Sequence, residues 1–246
     1  MPPNSSLRKF LVEMFCYFFS ITAFTHSVHL SLSEARQIFE FPGLLEHLQS
    51  GSIMGTSQKV FFILFRVALQ LSQVEPTTFS NRRIYRDIVS AERDLRDNRA
   101  SFQILPDMSA ETINDGVTFE LYRLACVIFL QSLIDESITI FAPAIQEMVS
   151  SFVTHLSMLP PESPSDGFLC WPLVIVGRCA IQQLHRTAIS TKLKTIFNNF
   201  RSEIFSRNLA MLKQRWRYLE RVDRNSMPNF SLALGMRNFN DAVLMV

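Results

Sequence analysis

Apolar residues recur at helical spacing along nearly the whole chain. The clearest pattern lies in Phe205, Leu209, Leu212, Trp216 and Leu219, which are separated by four, three, four and three residues. That spacing places all five side chains on one face of an amphipathic helix. No run of strand signals interrupts the helical pattern elsewhere. The sequence therefore predicts an all-α fold, an irregular bundle or array of about eight to ten helices.

Prolines, glycines and capping residues divide this pattern into elements. Residues 98–116 hold no sustained period and contain Pro106 and Gly116, so they are predicted to be a connecting loop. Residues 1–225 are expected to form one helical domain, followed by a C-terminal tail, 226–246, with enough apolar residues to dock on it. The predicted helices cover residues 5–26, a short stretch from 33 to 41, 56–74, 80–97, 117–134, a helix that begins at Pro143, 168–182, 187–199 and the amphipathic helix above.

Individual patterns also predict where each helix lies. Residues 80–97 are strongly charged around a narrow apolar stripe, which is typical of a surface helix, whereas 117–134 are apolar on most sides and should lie in the core. Thr187 is the expected cap of the helix 187–199. The stripe of the helix at Pro143 is predicted to be Ile145, Met148, Phe152, Leu156 and Leu159, and that of 80–97 to be Ile84, Ile88, Ala91 and Leu95.

The charge of the chain limits its partners. A formal net charge of +2 is too small for a nucleic-acid-binding surface across the whole molecule. Basic residues concentrate only in 201–224, where they are spread around the polar arc opposite Leu212 and Trp216. We therefore favour a solvated helix face over a nucleic-acid surface. The residues concerned are Arg201, Arg207, Lys213, Arg215, Arg217, Arg221 and Arg224.

Two apolar segments, 10–30 and 60–74, invite a membrane interpretation. Glu13 and Arg66 interrupt them, and no stretch reaches 18 uncharged apolar residues. A soluble protein with no membrane partner is therefore the favoured interpretation. A membrane-associated helical protein remains an alternative.

Candidate chemistry is sparse. No G-x-S-x-G, phosphate-binding or zinc-protease motif occurs, and the S-x-x-K match at Ser6 lacks its partner motifs, so no catalytic and no cofactor-binding residue is predicted. His26 and His29 lie three residues apart without further ligands, and Cys170 and Cys179 are nine apart, so no metal site is predicted. Three of the four cysteines lie in strongly apolar helical contexts and are expected to behave like small apolar residues. A helical enzyme of unknown chemistry stays the second alternative.

Three segments carry a resemblance to a known family. Residues 159–164 read Leu-Pro-Pro-Glu-Ser-Pro, 171–177 read Trp-Pro-Leu-Val-Ile-Val-Gly, and 204–216 form the late amphipathic helix. They resemble the fungal-specific transcription factor domain, the regulatory domain that accompanies Zn2Cys6 zinc clusters. Arg178 stands where family members often have Cys. The residues that carry the family motif are Pro160, Pro161, Trp171, Pro172, Gly177, Leu209, Leu212 and Trp216.

The resemblance implies a regulatory and interaction domain of a nuclear transcription factor and not an enzyme. It implies protein partners or self-association, and it allows a small-molecule inducer and requires no cofactor. The family's six-cysteine DNA-binding cluster cannot be built from four scattered cysteines. The chain is therefore expected to be a fragment, a diverged gene product or a factor without that end, and to contact DNA only through a cluster that these residues do not contain.

Overall fold

A computed structural model describes residues 11–18, 60–61, 63, 82–97, 108–135 and 137–221. In this part of the chain every regular element is helical, and the all-α prediction is confirmed. The predicted helix at 33–41 and the tail 226–246 lie outside it. The elements are α1 (Arg82–Asp97), α2 (Ala110–Ile134), α3 (Pro143–Leu156), a 3₁₀ turn (Pro164–Phe168), α4 (Cys170–Cys179), α5 (Gln183–Phe200) and α6 (Glu203–Arg221).

The chain divides into two compact units, residues 1–91 and 92–246. In the first unit, residues 11–18 are helical and bury Cys16 and Tyr17. The Tyr17 ring meets the Phe61 ring edge to face, with centroids 5.2 Å apart. Burial raises the pKa of the Cys16 thiol to about 12, with the charge of Glu13 adding to the effect. Cys16 therefore behaves as an apolar core residue, as the sequence predicts.

Helix α2 lies at the centre of the second unit and packs against α3 and α4. It is long and apolar enough to cross a membrane by composition, but 83% of its apolar window is buried by the rest of the protein. The predicted core position of 117–134 is confirmed by the burial of Leu121, Tyr122, Ile128 and Leu130.

The predicted loop 98–116 is wrong for its last seven residues, because α2 begins at Ala110. Ser109 caps the helix, and its hydroxyl oxygen accepts a hydrogen bond from the Thr112 amide at 3.1 Å. Two helical turns therefore precede the apolar run, and an analysis of apolar periodicity does not detect them because they consist mostly of polar residues. Gly116, taken as a loop signal, lies within the helix.

The predicted stripe of α1 is confirmed at the three positions whose burial the structure describes, while the side chain of Ile84 lies outside the described residues, and α3 follows its predicted stripe with one exchange. Ile88, Ala91 and Leu95 of α1 are buried, and Pro143 begins α3 as predicted. In α3 the buried position is Val149, whereas Met148 is only half-buried. The residues that face the core are Ile145, Val149, Phe152 and Leu156, with Leu159 buried in the turn that follows.

Helices α5 and α6 form an antiparallel hairpin joined by Arg201 and Ser202. Helix α5 begins at Gln183, so the prediction that Thr187 caps it is wrong; Gln182 occupies the cap position without a side-chain hydrogen bond. Arg201 ends the helix in the left-handed conformation with φ of 54°. The predicted stripe of α6 is confirmed in full, since Phe205, Leu209, Leu212, Trp216 and Leu219 are all buried.

Helices α4 and α6 cross at Gly177. A methyl group on its Cα would lie 2.8 Å from Leu212 Cδ1 and 3.1 Å from Leu212 Cδ2. Leu212 is fully buried, so its side chain has little space in which to move. Glycine is therefore needed at this crossing for close approach and not for an unusual backbone angle.

We predict that Gly177→Ala destabilises the protein by about 1–3 kcal/mol through overpacking. Leu212→Ala alone should cost about 2–5 kcal/mol. In the double variant the new methyl group enters the space that Leu212 leaves, so the loss should be smaller than the two single losses together. Urea unfolding of all four proteins measures this coupling.

The matched control is Gly167→Ala, because a methyl group there meets the Phe200 ring at an ordinary contact distance of 3.6 Å. Its coupling with Leu212→Ala should be close to zero. Additivity of Gly177→Ala and Leu212→Ala within about 0.5 kcal/mol would contradict the close packing.

Candidate functional site

The three motif segments of the sequence meet around helix α4. Trp171, Pro172 and Gly177 are buried within it, and Leu212 and Trp216 pack on it from α6. Pro172 lies in the first turn, where its missing N–H costs the helix no hydrogen bond. Leu209 is also buried, while Pro160 and Pro161 are exposed in the turn before α4.

A polar network fixes the proline-rich turn to α2. The Asn114 side-chain amide donates to Ser165 Oγ at 2.8 Å, and the Ser163 hydroxyl donates to Asn114 Oδ1. Thr118 Oγ1 donates to the backbone carbonyl of Asn114 and lies 2.9 Å from Ser165 Oγ. Tyr122 adds a hydrogen bond from its hydroxyl to the Phe168 carbonyl. Because these groups are largely buried, their mutual hydrogen bonds fix one position of the turn.

A buried ion pair connects the same turn to α5. Lys192 Nζ lies 2.6 Å from Asp166 Oδ1 and donates to the Pro160 carbonyl at 3.2 Å. Asp166 is 1% exposed, and this burial raises the pKa of its carboxyl even though Lys192 favours the ionised form. The position of Pro160 is therefore set through its carbonyl rather than through its ring.

Trp171 anchors the start of α4 in the core. Its ring stacks nearly parallel to Tyr122, with centroids 6.2 Å apart, and lies 6.4 Å from the Phe129 ring. The prediction that both tryptophans are core anchors agrees with their burial. Aromatic pairs of this kind add to the free energy that their buried area supplies.

The carboxyl end of α4 receives side-chain donors at four consecutive carbonyl groups. Trp216 Nε1 donates to Gly177 O at 2.8 Å, and Arg215 Nε donates to Arg178 O at 3.0 Å. Gln146 Nε2 donates to Cys179 O at 2.8 Å, and Arg186 Nε donates to Ala180 O at 3.0 Å. The last carbonyls of a helix have no intrahelical donors, and buried ones must find partners. Here helices α3, α5 and α6 supply them.

Arg178 lies at this helix end and is itself buried. Burial lowers the pKa of its guanidinium to about 10, and the nearby charge of Arg215 adds to the effect. Both groups remain cationic at neutral pH. Positive charge is favoured at a helix carboxyl end, which offsets part of the cost of burying it.

Arg186 connects this helix end to the surface of the hairpin. Its guanidinium lies over the Trp216 ring, 5.8 Å from the centroid, and pairs with Glu220. Arg186 is buried whereas Glu220 is exposed. The stacked arginine also lines a groove that opens to solvent.

The groove runs between α5 and α6 and has a volume of about 310 Å³. Its α5 wall comes from residues at helical spacing, and so does its α6 wall. Hydroxyl groups line one wall and cationic side chains lie on both. The lining residues are Gln183, Arg186, Thr187, Ser190, Thr191 and Lys194 of α5 and Lys213, Trp216, Arg217 and Glu220 of α6.

The sequence analysis did not predict that two cations of α5 are buried. It predicted the surroundings of the α6 cations only in part. Arg207 and Arg217 are solvated as expected, but Arg215 is half-buried and hydrogen-bonded to α4. Lys192 and Arg186 are buried in α5. The detectable signal was that both fall within the apolar stripe of Ile189, Leu193 and Ile196, where a charge requires a partner.

Cysteines and histidines of the described chain are accounted for by packing. Cys126, Cys170 and Cys179 are buried thiols, and burial raises the pKa of Cys170 and Cys179 to about 12. Asn208 donates to Cys170 Sγ at 3.3 Å. His185 is buried near Ser150, and His155 is half-exposed. His26 and His29 lie outside the described residues.

A family model of the fungal specific transcription factor domain matches residues 1–224. The match covers most of the 246 residues, so the chain belongs to this family. This confirms the resemblance carried by 159–164, 171–177 and 204–216. Comparison with curated proteins and with solved structures found no match. The family has a regulatory role in transcription, and its members are typically nuclear and associated with Zn2Cys6 clusters.

We predict that Gln146→Met destabilises the protein by about 1–3 kcal/mol or more, because it leaves the carbonyls of both Ile140 and Cys179 without their donor. The matched control is Gln214→Met, an equal change at an exposed glutamine, which should stay within about 0.5 kcal/mol of the parent. Thermal and urea unfolding measure both. Equal stability of the two variants would argue against the capped helix end.

We also predict that Lys192→Met costs about 3–5 kcal/mol at pH 7, because it leaves the Asp166 carboxylate buried without its partner. A carboxyl pKa that is higher in the folded than in the unfolded state means that ionisation opposes folding. Its contribution is therefore most favourable at low pH and is lost as the pH rises towards the folded-state pKa. Without Lys192 the pKa of Asp166 rises further. The loss of unfolding free energy in the variant, relative to the parent protein, should therefore be smaller at pH 5 than at pH 7.

Two further variants control this experiment. Lys194→Met removes an exposed lysine two residues away and should have little effect at either pH. Asp166→Asn combined with Lys192→Met removes the buried charge and should recover stability at pH 7. A deficit that does not change with pH would show that the pair is not the cause.

Proposed function

We propose that this chain is the regulatory and interaction domain of a fungal transcription factor and that it acts in the nucleus. The observation that carries the proposal is the family match across residues 1–224. The burial of the motif tryptophans around α4 supports it, because the motif then defines a folded scaffold rather than a reactive centre. Its function would lie in the surfaces that this scaffold presents to protein partners, to a second copy of itself or to an inducer.

The chemistry of the described residues supports a binding role over a catalytic one. Thiol nucleophiles act as thiolates, and pKa values of about 12 keep Cys170 and Cys179 protonated at neutral pH. Among these residues no group of three metal-binding side chains is found. We therefore propose no reaction for this domain.

We propose that sequence-specific DNA contact is supplied from outside these 246 residues. A six-cysteine cluster cannot form from four cysteines, three of which are buried at separate places in the second unit. The cations of α6 are spread between solvent, the groove and the end of α4. Phosphate contacts from such a surface would carry no sequence information.

We predict that fusing the chain to a heterologous, transcriptionally silent DNA-binding domain changes the output of a yeast reporter that carries its binding sites. The expected result is activation or repression relative to the DNA-binding domain alone. Trp216→Ala in the fusion should abolish the change, because losing this core anchor costs about 3–5 kcal/mol. Reporter output equal to that of the DNA-binding domain alone, at matched protein abundance, would contradict the regulatory role.

A further inference from the structure

The groove between α5 and α6 carries an excess of positive charge. Residues 183–221 contain nine lysines and arginines and only two glutamates, whereas the whole chain has a net charge of +2. The hairpin is therefore strongly cationic and the remainder of the chain is net acidic. A concave surface lined by one sign of charge concentrates the field and attracts counter-ions.

Some cations of the described surface are ion-paired, whereas others, among them three of the four that line the groove, are not. Arg96 is paired with Glu92 and Arg207 with Glu203, each one helical turn away. By contrast, Lys194, Lys213 and Arg217 form no ion pair with any residue that the structure describes. The only carboxylate among the groove-lining residues, Glu220, is already paired with Arg186. Three uncommitted cations therefore face the same small space.

Hydroxyl groups complete the lining. Thr187, Ser190 and Thr191 lie on the α5 wall, the first of them two helical turns and the other two one turn before Lys194. Hydroxyl donors together with lysine and arginine are a donor set suited to phosphate oxygens. A monocarboxylate would balance only one of the three cations, whereas a phosphate monoester carries a charge of about −1.5 to −2 and three acceptor oxygens.

The size of the groove favours a small ligand. Its volume of about 310 Å³ lies at the lower end of the range for small-molecule sites, about 300–1,000 Å³. A DNA duplex is read by elements that project into its grooves, and this surface is concave. We propose that the α5–α6 groove is a binding site for a small phosphorylated metabolite, a phosphate monoester held by Lys194, Lys213 and Arg217 with the hydroxyls of α5.

Such a ligand would act on the scaffold through Arg186. A phosphate in the groove competes with Glu220 for this guanidinium, which also lies over Trp216 and donates to the carbonyl at the end of α4. Ligand binding would therefore change the environment of Trp216. The role of the ligand as a regulatory signal rests on the proposed function, whereas binding itself does not.

The test is isothermal titration of the full chain with glucose 6-phosphate, inorganic phosphate and glucose at about 50 mM salt. We expect one site per chain for the phosphate ester, with an affinity in the micromolar to millimolar range, and no binding of glucose. Binding of inorganic phosphate as well would identify the phosphate group as the recognised element. Tryptophan emission should change on titration, because Trp216 lines the groove and Trp171 does not.

The charge-matched variants decide whether the groove is the site. Lys213→Gln with Arg217→Gln should weaken phosphate-ester binding by about tenfold or more, since each removes a charge-assisted hydrogen bond. Arg207→Gln with Arg221→Gln removes the same charge from α6 outside the groove and should leave the affinity within about threefold. Circular dichroism and thermal unfolding confirm that both variants fold.

Several outcomes would overturn the proposal. Equal weakening by both pairs of substitutions would indicate diffuse attraction to a basic surface, and absence of phosphate-ester binding would exclude the site. Tighter binding of a polyglutamate peptide or of a random DNA duplex would assign the groove to a different partner. If no phosphate ester binds but the reporter still responds, the groove site is refuted and the proposed function stands. If the phosphate ester binds but the reporter does not respond, only the regulatory role is refuted.

Discussion

The packing of helices in the second unit depends on which groups hydrogen-bond to the carbonyls at the carboxyl end of α4. This helix is short, ten residues long, and all ten are buried, so water cannot hydrogen-bond to its terminal carbonyls. Four donors from α3, α5 and α6 converge on carbonyls 177–180 in place of water. Each donor constrains the helix that carries it, because an unsatisfied buried carbonyl costs about 1–3 kcal/mol. The relative positions of four helices therefore follow from one requirement of backbone chemistry.

The same requirement explains why cations lie deep in this unit. A guanidinium can donate to a buried carbonyl and still present other N–H groups elsewhere, as Arg186 does towards Glu220. Arg215 and Arg186 also place positive charge at the negative end of a helix dipole. At the other end of α4, Lys192 and Asp166 secure the proline-rich turn by a buried ion pair. The family motif thus marks both ends of one buried helix.

Function is then expected on the outer side of this scaffold. The hairpin of α5 and α6 uses one face of each helix for the core and a neighbouring face for the cationic groove. Trp216 contributes to both faces. Its indole N–H donates to the Gly177 carbonyl of α4, and its ring lies beneath the Arg186 guanidinium. A signal received in the groove therefore has a direct physical connection to the core, through a residue that the motif contains.

The sequence by itself determined the all-α class, the stripe of α6, the central position of α2 and the family motif, because helical periodicity and motif spacing are local properties. It failed at the start of α2, where polar residues conceal two helical turns, and at the cap of α5. Only the tertiary structure decided which donors reach carbonyls 177–180, which carboxylate accompanies Lys192 and which cations stay uncommitted. Apart from Arg186 and Ala180, which are six positions apart, these pairings join residues 26 to 39 positions apart, and no local pattern specifies which distant groups will meet.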